Sequence, residues 1–148
     1  MNLKLDGNVV IVSKDTNGDE VWRHRVHNLV PTTGLDLIIA HLSTIAALVP
    51  EHFCLGTGTT AADSTDTGLQ STDYDIAFTG STIRSMGITF EGTIFSTDGS
   101  SDTTWNEIGL FTSSSSLVAR ALISPLTKVA GTPTNEYIYW AFDIEATT

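Results

Sequence analysis

Basic residues are scarce in this chain, which has 148 residues with seven Lys and Arg against seventeen Asp and Glu, and a formal net charge of −10. A surface of that sign repels phosphate, so sequence-independent binding to nucleic acid or anionic lipid is not expected. Charged residues of both signs make up only 16% of the chain, while Ser, Thr and Gly are abundant. This composition is typical of an all-β surface protein, and we predict neither a nucleic-acid nor a membrane partner.

Cysteine and long apolar runs are also nearly absent. Cys54 is the only cysteine, so no disulfide can form within the chain. It lies in the apolar run Phe53–Leu55, which favours a buried structural thiol over a nucleophile. Residues 1–7 lack the apolar core of a signal peptide, and the longest apolar stretch, 35–49, is too short and too polar to cross a bilayer. We therefore expect the chain to fold in a cytosol.

Recognised catalytic motifs are missing as well. The sequence has no G-x-S-x-G nucleophile elbow, no Walker loop and no zinc-binding spacing of histidines. The histidines are His24, His27, His41 and His52. We predict that the chain is not an enzyme and has no catalytic, cofactor-binding or metal-binding residues. The alternative that stays open is a hydrolase or a small-molecule-binding enzyme.

One fragment matches part of a nucleotide-binding fingerprint. Gly56–Ala61 has the G-x-G-x-x-A form and follows a short predicted strand. That fingerprint needs a helix next, so that the N-terminus of the helix can hold the pyrophosphate. The turn-forming run Ala62–Gly68 follows instead, and its carboxylates would repel phosphate. Nucleotide binding is therefore not predicted.

A second fragment resembles the beginning of a calcium-binding loop. Asp15–Asp19 has the right opening, but Glu20 stands where such a loop requires Gly and Val26 where it requires Glu. A hairpin turn explains the fragment better. Weak calcium binding stays open at a few aspartates elsewhere in the chain, namely Asp63, Asp66, Asp73 and Asp75.

Local patterns in the first half predict a hairpin, a helix and a long loop. Asn17-Gly18 separates two strand-like runs and is a strong hairpin signal, because both central residues of such a turn need a positive φ. Apolar residues then recur at helical spacing, which predicts one buried α-helix over about residues 34–48, with an N-cap hydroxyl from Pro31-Thr32-Thr33. The Gly-, Thr- and Asp-rich segment 56–82 predicts a long loop carrying one edge strand.

The remaining segments alternate apolar and polar residues, which is the pattern of short strands. Strands are predicted at His52 to Leu55, Met86 to Phe90, Glu107 to Leu110, Leu117 to Ile123 and Ile138 to Ile144. Short strands with regular turns and one helix indicate a mainly β fold, a β-sandwich of antiparallel strands. We expect a single domain over residues 1–148, with residues 1–7 as a candidate N-terminal arm.

One cross-strand pair can be predicted from the spacing of two strands. If Thr112–Ser115 form a four-residue loop, Phe111 lies opposite Ser116 and Glu107 lies opposite Arg120. A pair of opposite charges contributes only about 0.2–1 kcal/mol, but it helps to fix the register. The apolar pairs expected on the other face are Ile108 with Ala119 and Leu110 with Leu117.

Six segments are familiar when they are taken together in their order and spacing. They are Val30 to Leu35, Leu55 to Ala62, Asp66 to Leu69, Asn106 to Phe111, Leu117 to Ala121 and the aromatic strand around Trp140. From about Asn28 to Ile144 the chain resembles a loose family of small virion proteins of tailed bacteriophages. After Leu69 many members carry an acidic residue, whereas this chain has Gln70-Ser71-Thr72.

The resemblance implies a structural component of a phage particle, without catalytic residues, and it is strongest to capsid cement or decoration proteins of cyanophage-type siphoviruses. In that role the chain would be made in the bacterial cytoplasm and would bind the major capsid protein on the outer surface of the head. A homotrimer would clamp neighbouring capsomers, with residues 1–7 and 56–82 as candidate arms. Strand addition between subunits would protect sheet edges. The alternative is a tail, collar or fibre-associated virion protein, with host glycans as one candidate contact.

Overall fold

The structure, a computed structural model, describes residues 2–43, 50–98, 103–128 and 133–147. These residues form strands and one helix, the mainly β class that the alternating patterns predict. The elements in chain order are β1 (Asn2–Lys14), β2 (Glu20–His27), α1 (Thr32–Ser43), β3 (Pro50–Gly56), β4 (Thr72–Arg84), β5 (Gly87–Ile94), β6 (Thr103–Thr112), β7 (Leu117–Lys128) and β8 (Asn135–Thr147).

The strands make one antiparallel sheet that is nearly closed into a barrel, in the order β2-β1-β8-β5-β4-β3-β6-β7. Strand β4 keeps the sheet continuous, because residues 72–77 pair with β3 and residues 78–84 pair with β5. The two separately packed sheets of the expected sandwich are therefore not confirmed.

The first predicted hairpin is confirmed, although its turn differs from the expected type. β1 and β2 pair from Asn8 with His27 to Lys14 with Glu20. Gly18 has a φ of 86°, whereas Asn17 is not among the residues with a positive φ. The Asp15 carboxylate instead accepts hydrogen bonds from the backbone N–H groups of the turn, a role that Asp often has in turns.

The predicted loop 56–82 is shorter than expected, and residues 2–7 of the candidate arm lie in the sheet. Residues 57–71 form the loop, and residues 72–82 belong to β4, which is a central strand. The alternation of Tyr74, Ile76 and Phe78 is that of a strand, and each half of β4 has one partner, β3 for residues 72–77 and β5 for residues 78–84. Residues 2–7 belong to β1 and pair with β8 from Asn2 with Thr147 onward.

The predicted helix is present over the described residues of its range, and it is less buried than expected. α1 begins at Thr32 and ends at Ser43, and residues 44–48 of the prediction lie outside the described part of the chain. Leu35 is 45% exposed and Ile39 is 64% exposed, because α1 lies over one end of the barrel and not inside it. The hydroxyl of Thr33 does not cap the helix but donates to the Asp66 carbonyl at 2.9 Å.

The core fills the inside of the barrel with side chains from alternate strand positions. Ile138 and Trp140 are fully buried on β8, and Phe53 is fully buried on β3, as the period of two predicts. The Trp140 ring stacks on the Phe53 ring, with centroids 6.0 Å apart. Aromatic pairs of this kind add to the stability from apolar burial.

Side chains close the seam between the end strands β2 and β7. The backbone N–H of Ser124 donates to His24 Nε2 at 3.1 Å, and the Ser124 hydroxyl lies 3.1 Å from His24 Nδ1. Pro125 follows directly on β7, in keeping with an end strand, because proline cannot donate to a ladder. A neutral imidazole satisfies both contacts, since it offers one donor and one acceptor.

Acidification is therefore expected to weaken the seam. Burial lowers the pKa of His24 below its ordinary value, so the unfolded chain takes up this proton more readily than the folded chain. The His24 contribution to stability is complete above its ordinary pKa of about 6.5 and declines as the pH falls toward the folded pKa. Urea unfolding at several pH values should show this decline in the natural chain. A His24→Gln variant, which does not titrate, should lack that component, and an equal decline in both proteins would contradict the assignment.

Candidate functional site

A buried ion pair lies beneath the loop 57–71. Glu107 on β6 is fully buried and Arg120 on β7 is 2% exposed. Arg120 Nε and Nη2 donate to Glu107 Oε2 at 2.9 and 2.7 Å. The predicted pairing of these side chains is confirmed, but the predicted register is wrong. Glu107 lies opposite Leu122, and Arg120 lies opposite Gly109. Compared with the predicted register, the partner of Glu107 is shifted by two positions, from Arg120 to Leu122. A shift by an even number of positions keeps both charged side chains on one face of the sheet.

The Glu107 carboxylate accepts hydrogen bonds from backbone N–H groups at both ends of the loop 57–71. Glu107 Oε1 accepts from the N–H groups of Gly58 at 3.1 Å and Ser71 at 2.9 Å. Glu107 Oε2 accepts from the N–H of Gln70 at 3.1 Å. A buried carboxylate is stable only when its oxygens are satisfied in this manner. The loop is therefore built around Glu107.

Arg120 holds the middle of the same loop. Its Nη2 donates to the Thr60 carbonyl at 2.8 Å, and its Nη1 donates to Asp66 Oδ2 at 2.7 Å. Burial alone would lower the pKa of Arg120, but the hydrogen bonds to Asp66 and Glu107 outweigh it and raise the pKa above its ordinary value. The guanidinium stays charged, and its donors are directed to groups of the chain itself.

This arrangement explains the partial nucleotide fingerprint at Gly56–Ala61. The fingerprint would direct backbone N–H groups at a phosphate, but the N–H of Gly58 donates to a carboxylate. A Cβ at position 58 would lie 2.4 Å from Glu107 Oε1. Glycine at this position therefore allows the loop backbone to lie close to the Glu107 carboxylate. The motif therefore reflects loop packing.

Three of the aspartates left open for calcium binding already have partners within the chain. Asp63 accepts from the N–H and hydroxyl of Thr65, and these hydrogen bonds lower its pKa. Asp66 pairs with Arg120, and Asp73 accepts from the Trp105 indole at 2.7 Å. Within residues 2–43, 50–98, 103–128 and 133–147, no group of three or more His, Cys, Asp or Glu side chains could hold a metal ion.

Cys54 is buried, as the sequence predicts, but it has neighbours that sequence reasoning missed. A cavity of about 300 Å³ is lined by Cys54, by His52 from the same strand face and by Asp75, which pairs with Cys54 across β3 and β4. Burial, followed by the contact with Asp75, raises the pKa of the Cys54 thiol to about 12. The thiol stays protonated at neutral pH, so it is a poor nucleophile.

The other histidines are not gathered into a site. The His52 ring stacks on Phe111 with centroids 5.7 Å apart, and His24 lies at the seam. His27 is exposed, with its Nδ1 3.9 Å from Asp6 Oδ1. The side chain of His41 lies outside the described part of the chain.

An apolar surface lies at the end of the barrel beside α1. Its cavity measures about 400 Å³. We call this surface the apolar end and define it by Leu5, Ile38, Met86, Ile88, Phe142 and Ile144, all of which line the cavity. Met86 is 54% exposed and Ile144 is 47% exposed. Exposed apolar side chains that adjoin one another usually mark a site of interaction.

Comparisons with protein-family models, with curated proteins and with solved structures find no match to this chain. Among the described residues, the structure contains no helix with the length and apolar character that would be needed to span a membrane.

Proposed function

We propose that this chain is a structural component of a tailed-phage particle, a capsid cement protein that binds the major capsid protein on the outside of the head. The sequence resemblance suggests this class of protein, and the apolar end is the observation that carries the proposal here. A homotrimer at the three-fold positions would use the same surface three times and would clamp neighbouring capsomers.

The apolar end suits a contact of this kind. Met86 in the β4–β5 turn and Ile144 on β8 are joined by a backbone hydrogen bond of 2.8 Å from Ile144 N–H to the Met86 carbonyl. Ile83, which is 82% exposed, lies opposite Ile88 in the same hairpin. Removing these side chains from water on contact with a partner would stabilise the complex, at roughly 25 cal/mol per Å² of apolar surface.

A sheet edge beside the apolar end supports strand addition. β1 pairs with β2 only from Asn8 onward, while Asn2–Asp6 pair with β8 on their other side. Within the described residues, Asn2–Asp6 therefore have an open edge toward the side of β2. A strand from a neighbouring subunit could pair there, which is a common mode of association for exposed edges.

The decisive experiment places one negative charge on the apolar end. A Met86→Asp variant should lower the occupancy of the protein on capsids by tenfold or more, because a carboxylate resists burial against an apolar partner. Capsids that lack the protein would be mixed with the variant, sedimented and quantified. Val21→Asp is the matched control, since Val21 on β2 is 57% exposed and Met86 is 54% exposed.

The control should bind as the natural chain does. Equal occupancy for Met86→Asp and the natural chain would contradict the proposed surface. Immunogold labelling of intact particles tests the location separately. Label over the head supports a cement protein, whereas label confined to the tail or neck contradicts it and favours the tail, collar or fibre alternative.

A further inference from the structure

A third pocket lies near the seam, away from the apolar end and from the cavity beside Cys54. It measures about 300 Å³ and brings together residues of β1, β2, β7 and β8. Its polar lining includes Glu136 and the residues Ser13 and Thr134, and the indole of Trp22 forms an aromatic wall. None of these residues takes part in the Glu107–Arg120 network or in the apolar end.

Glu136 is the unusual member of this pocket. Its side chain is 4% exposed, and carboxylates are rarely buried to this degree without partners. Glu136 Oε1 accepts from the Ser13 hydroxyl at 3.0 Å and from the Thr134 hydroxyl at 3.2 Å. Glu136 Oε2 is buried and has no hydrogen-bond partner among the described residues. A buried acceptor left in this state costs free energy, and a bound donor would recover it.

We propose that this pocket binds a neutral, hydroxyl-rich ligand of the size of a monosaccharide. A ligand hydroxyl would donate to Glu136 Oε2, and further hydroxyls would exchange hydrogen bonds with Ser13 and Thr134. The flat apolar face of the Trp22 indole would pack against the C–H groups of the sugar ring. The volume of the pocket lies at the lower limit for ligand sites, which suits one ring and not a chain of rings.

A neutral ligand fits this pocket better than an organic cation. Lys128 is 5% exposed, and its Nζ, like Glu136 Oε2, has no hydrogen-bond partner among the described residues. Burial lowers the pKa of Lys128, and the charges of Asp98 and Glu136 oppose that shift. Lys128 therefore already offsets part of the negative charge of Glu136. A second cation at Glu136 would be repelled by Lys128, whereas a hydroxyl supplies the missing donor without adding charge.

Titrations followed by NMR would test the proposal. Glucose, galactose and N-acetylglucosamine would be added in turn to the full chain while the indole N–H signal of Trp22 is recorded. We expect at least one sugar to shift this signal in a saturable manner. Methylammonium chloride is the probe for a cation, and we expect it to leave the signal unchanged.

Two variants connect the shift to the pocket. Glu136→Gln should weaken sugar binding about tenfold, because a neutral amide makes a weaker hydrogen bond than a carboxylate. Glu51→Gln, which changes an exposed carboxylate on β3, should bind as the natural chain does. Trp22→Leu provides a second test if Glu136→Gln does not fold. Because it removes the indole signal, its sugar binding is measured by titration calorimetry, and that binding should also be weaker.

Three results would overturn the proposal. They are the absence of a saturable shift with every sugar, a shift caused by methylammonium alone, and undiminished binding by the folded variants. The proposal does not depend on the location of the protein on a particle, so the capsid experiment and this one can fail independently.

Discussion

Replacing Glu107 by Ala is expected to lower the free energy of unfolding by about 3–5 kcal/mol, because it leaves a buried charge without its main partner. Arg120 would keep Asp66 but would lose Glu107 Oε2, which it contacts through two nitrogens at 2.9 and 2.7 Å. The N–H groups of Gly58, Gln70 and Ser71 would lose their acceptor at the same time. Urea unfolding would measure the loss.

The matched control removes a carboxylate from an exposed ion pair. Glu20 contacts Arg23 through two hydrogen bonds of 2.8 Å on the surface. Its hydrogen bond with Arg23 lowers the pKa of Glu20, but water screens the pair. Glu20→Ala should therefore change stability little, although its hydrogen bonds are as short as those of Glu107.

A double variant separates the charge effect from packing. Glu107→Leu combined with Arg120→Met removes both buried charges and should be less destabilised than Glu107→Ala, as observed when buried ion pairs are replaced together. Hydrogen exchange of residues 57–71 should rise in both variants, because the loop loses its acceptors. Loss of stability with unchanged exchange in this loop would contradict the role given to Glu107.

Much of the β framework could be predicted from alternation alone. Ile138 and Trp140 lie inside the barrel, as their period of two requires, and Cys54 is buried with its neighbours. The pairing of Glu107 with Arg120 was also predictable, because opposite charges in adjacent strands tend to share a face. These features depend on residues that are close in sequence or on adjacent strands.

Features set by distant contacts were not predictable. The register of β6 and β7 depends on irregularities in their pairing, and Ser115 has a φ of 61° in the turn between them. The partner of His24 is Ser124, which lies at the opposite end of the sheet order. No local pattern indicates that a closed sheet brings them together.

The burial of the helix α1 was also not predictable from local sequence patterns. Apolar spacing predicted that α1 forms, but it could not reveal what covers each face. Leu35 and Ile39 remain exposed because α1 packs over the barrel end by one side only. Apolar residues on a helix identify a surface that can be buried. The sequence does not state whether the same chain or a partner buries it.

Gly34→Ala is expected to destabilise the protein by about 1–3 kcal/mol, because it adds a methyl group where two elements touch. A Cβ at position 34 would lie 1.9 Å from the carbonyl oxygen of Val118 on β7. That neighbour is backbone, so it cannot turn aside as a side chain could. Ala is the better helix former by about 1 kcal/mol, which offsets only part of the cost. Urea unfolding would show the net loss.

Gly68→Ala is the matched control, since a Cβ at position 68 would meet nothing within 4 Å. It should leave stability close to that of the natural chain. Because Val118 and Ile38 both line the cavity of the apolar end, a helix displaced by Gly34→Ala would also change the shape of that surface. Capsid occupancy should then fall for Gly34→Ala even at temperatures where the variant is fully folded. If Gly34→Ala is as stable as the natural chain and binds equally well, α1 is not fixed against β7. The apolar end would then lack the defined shape that a clamp between capsomers requires.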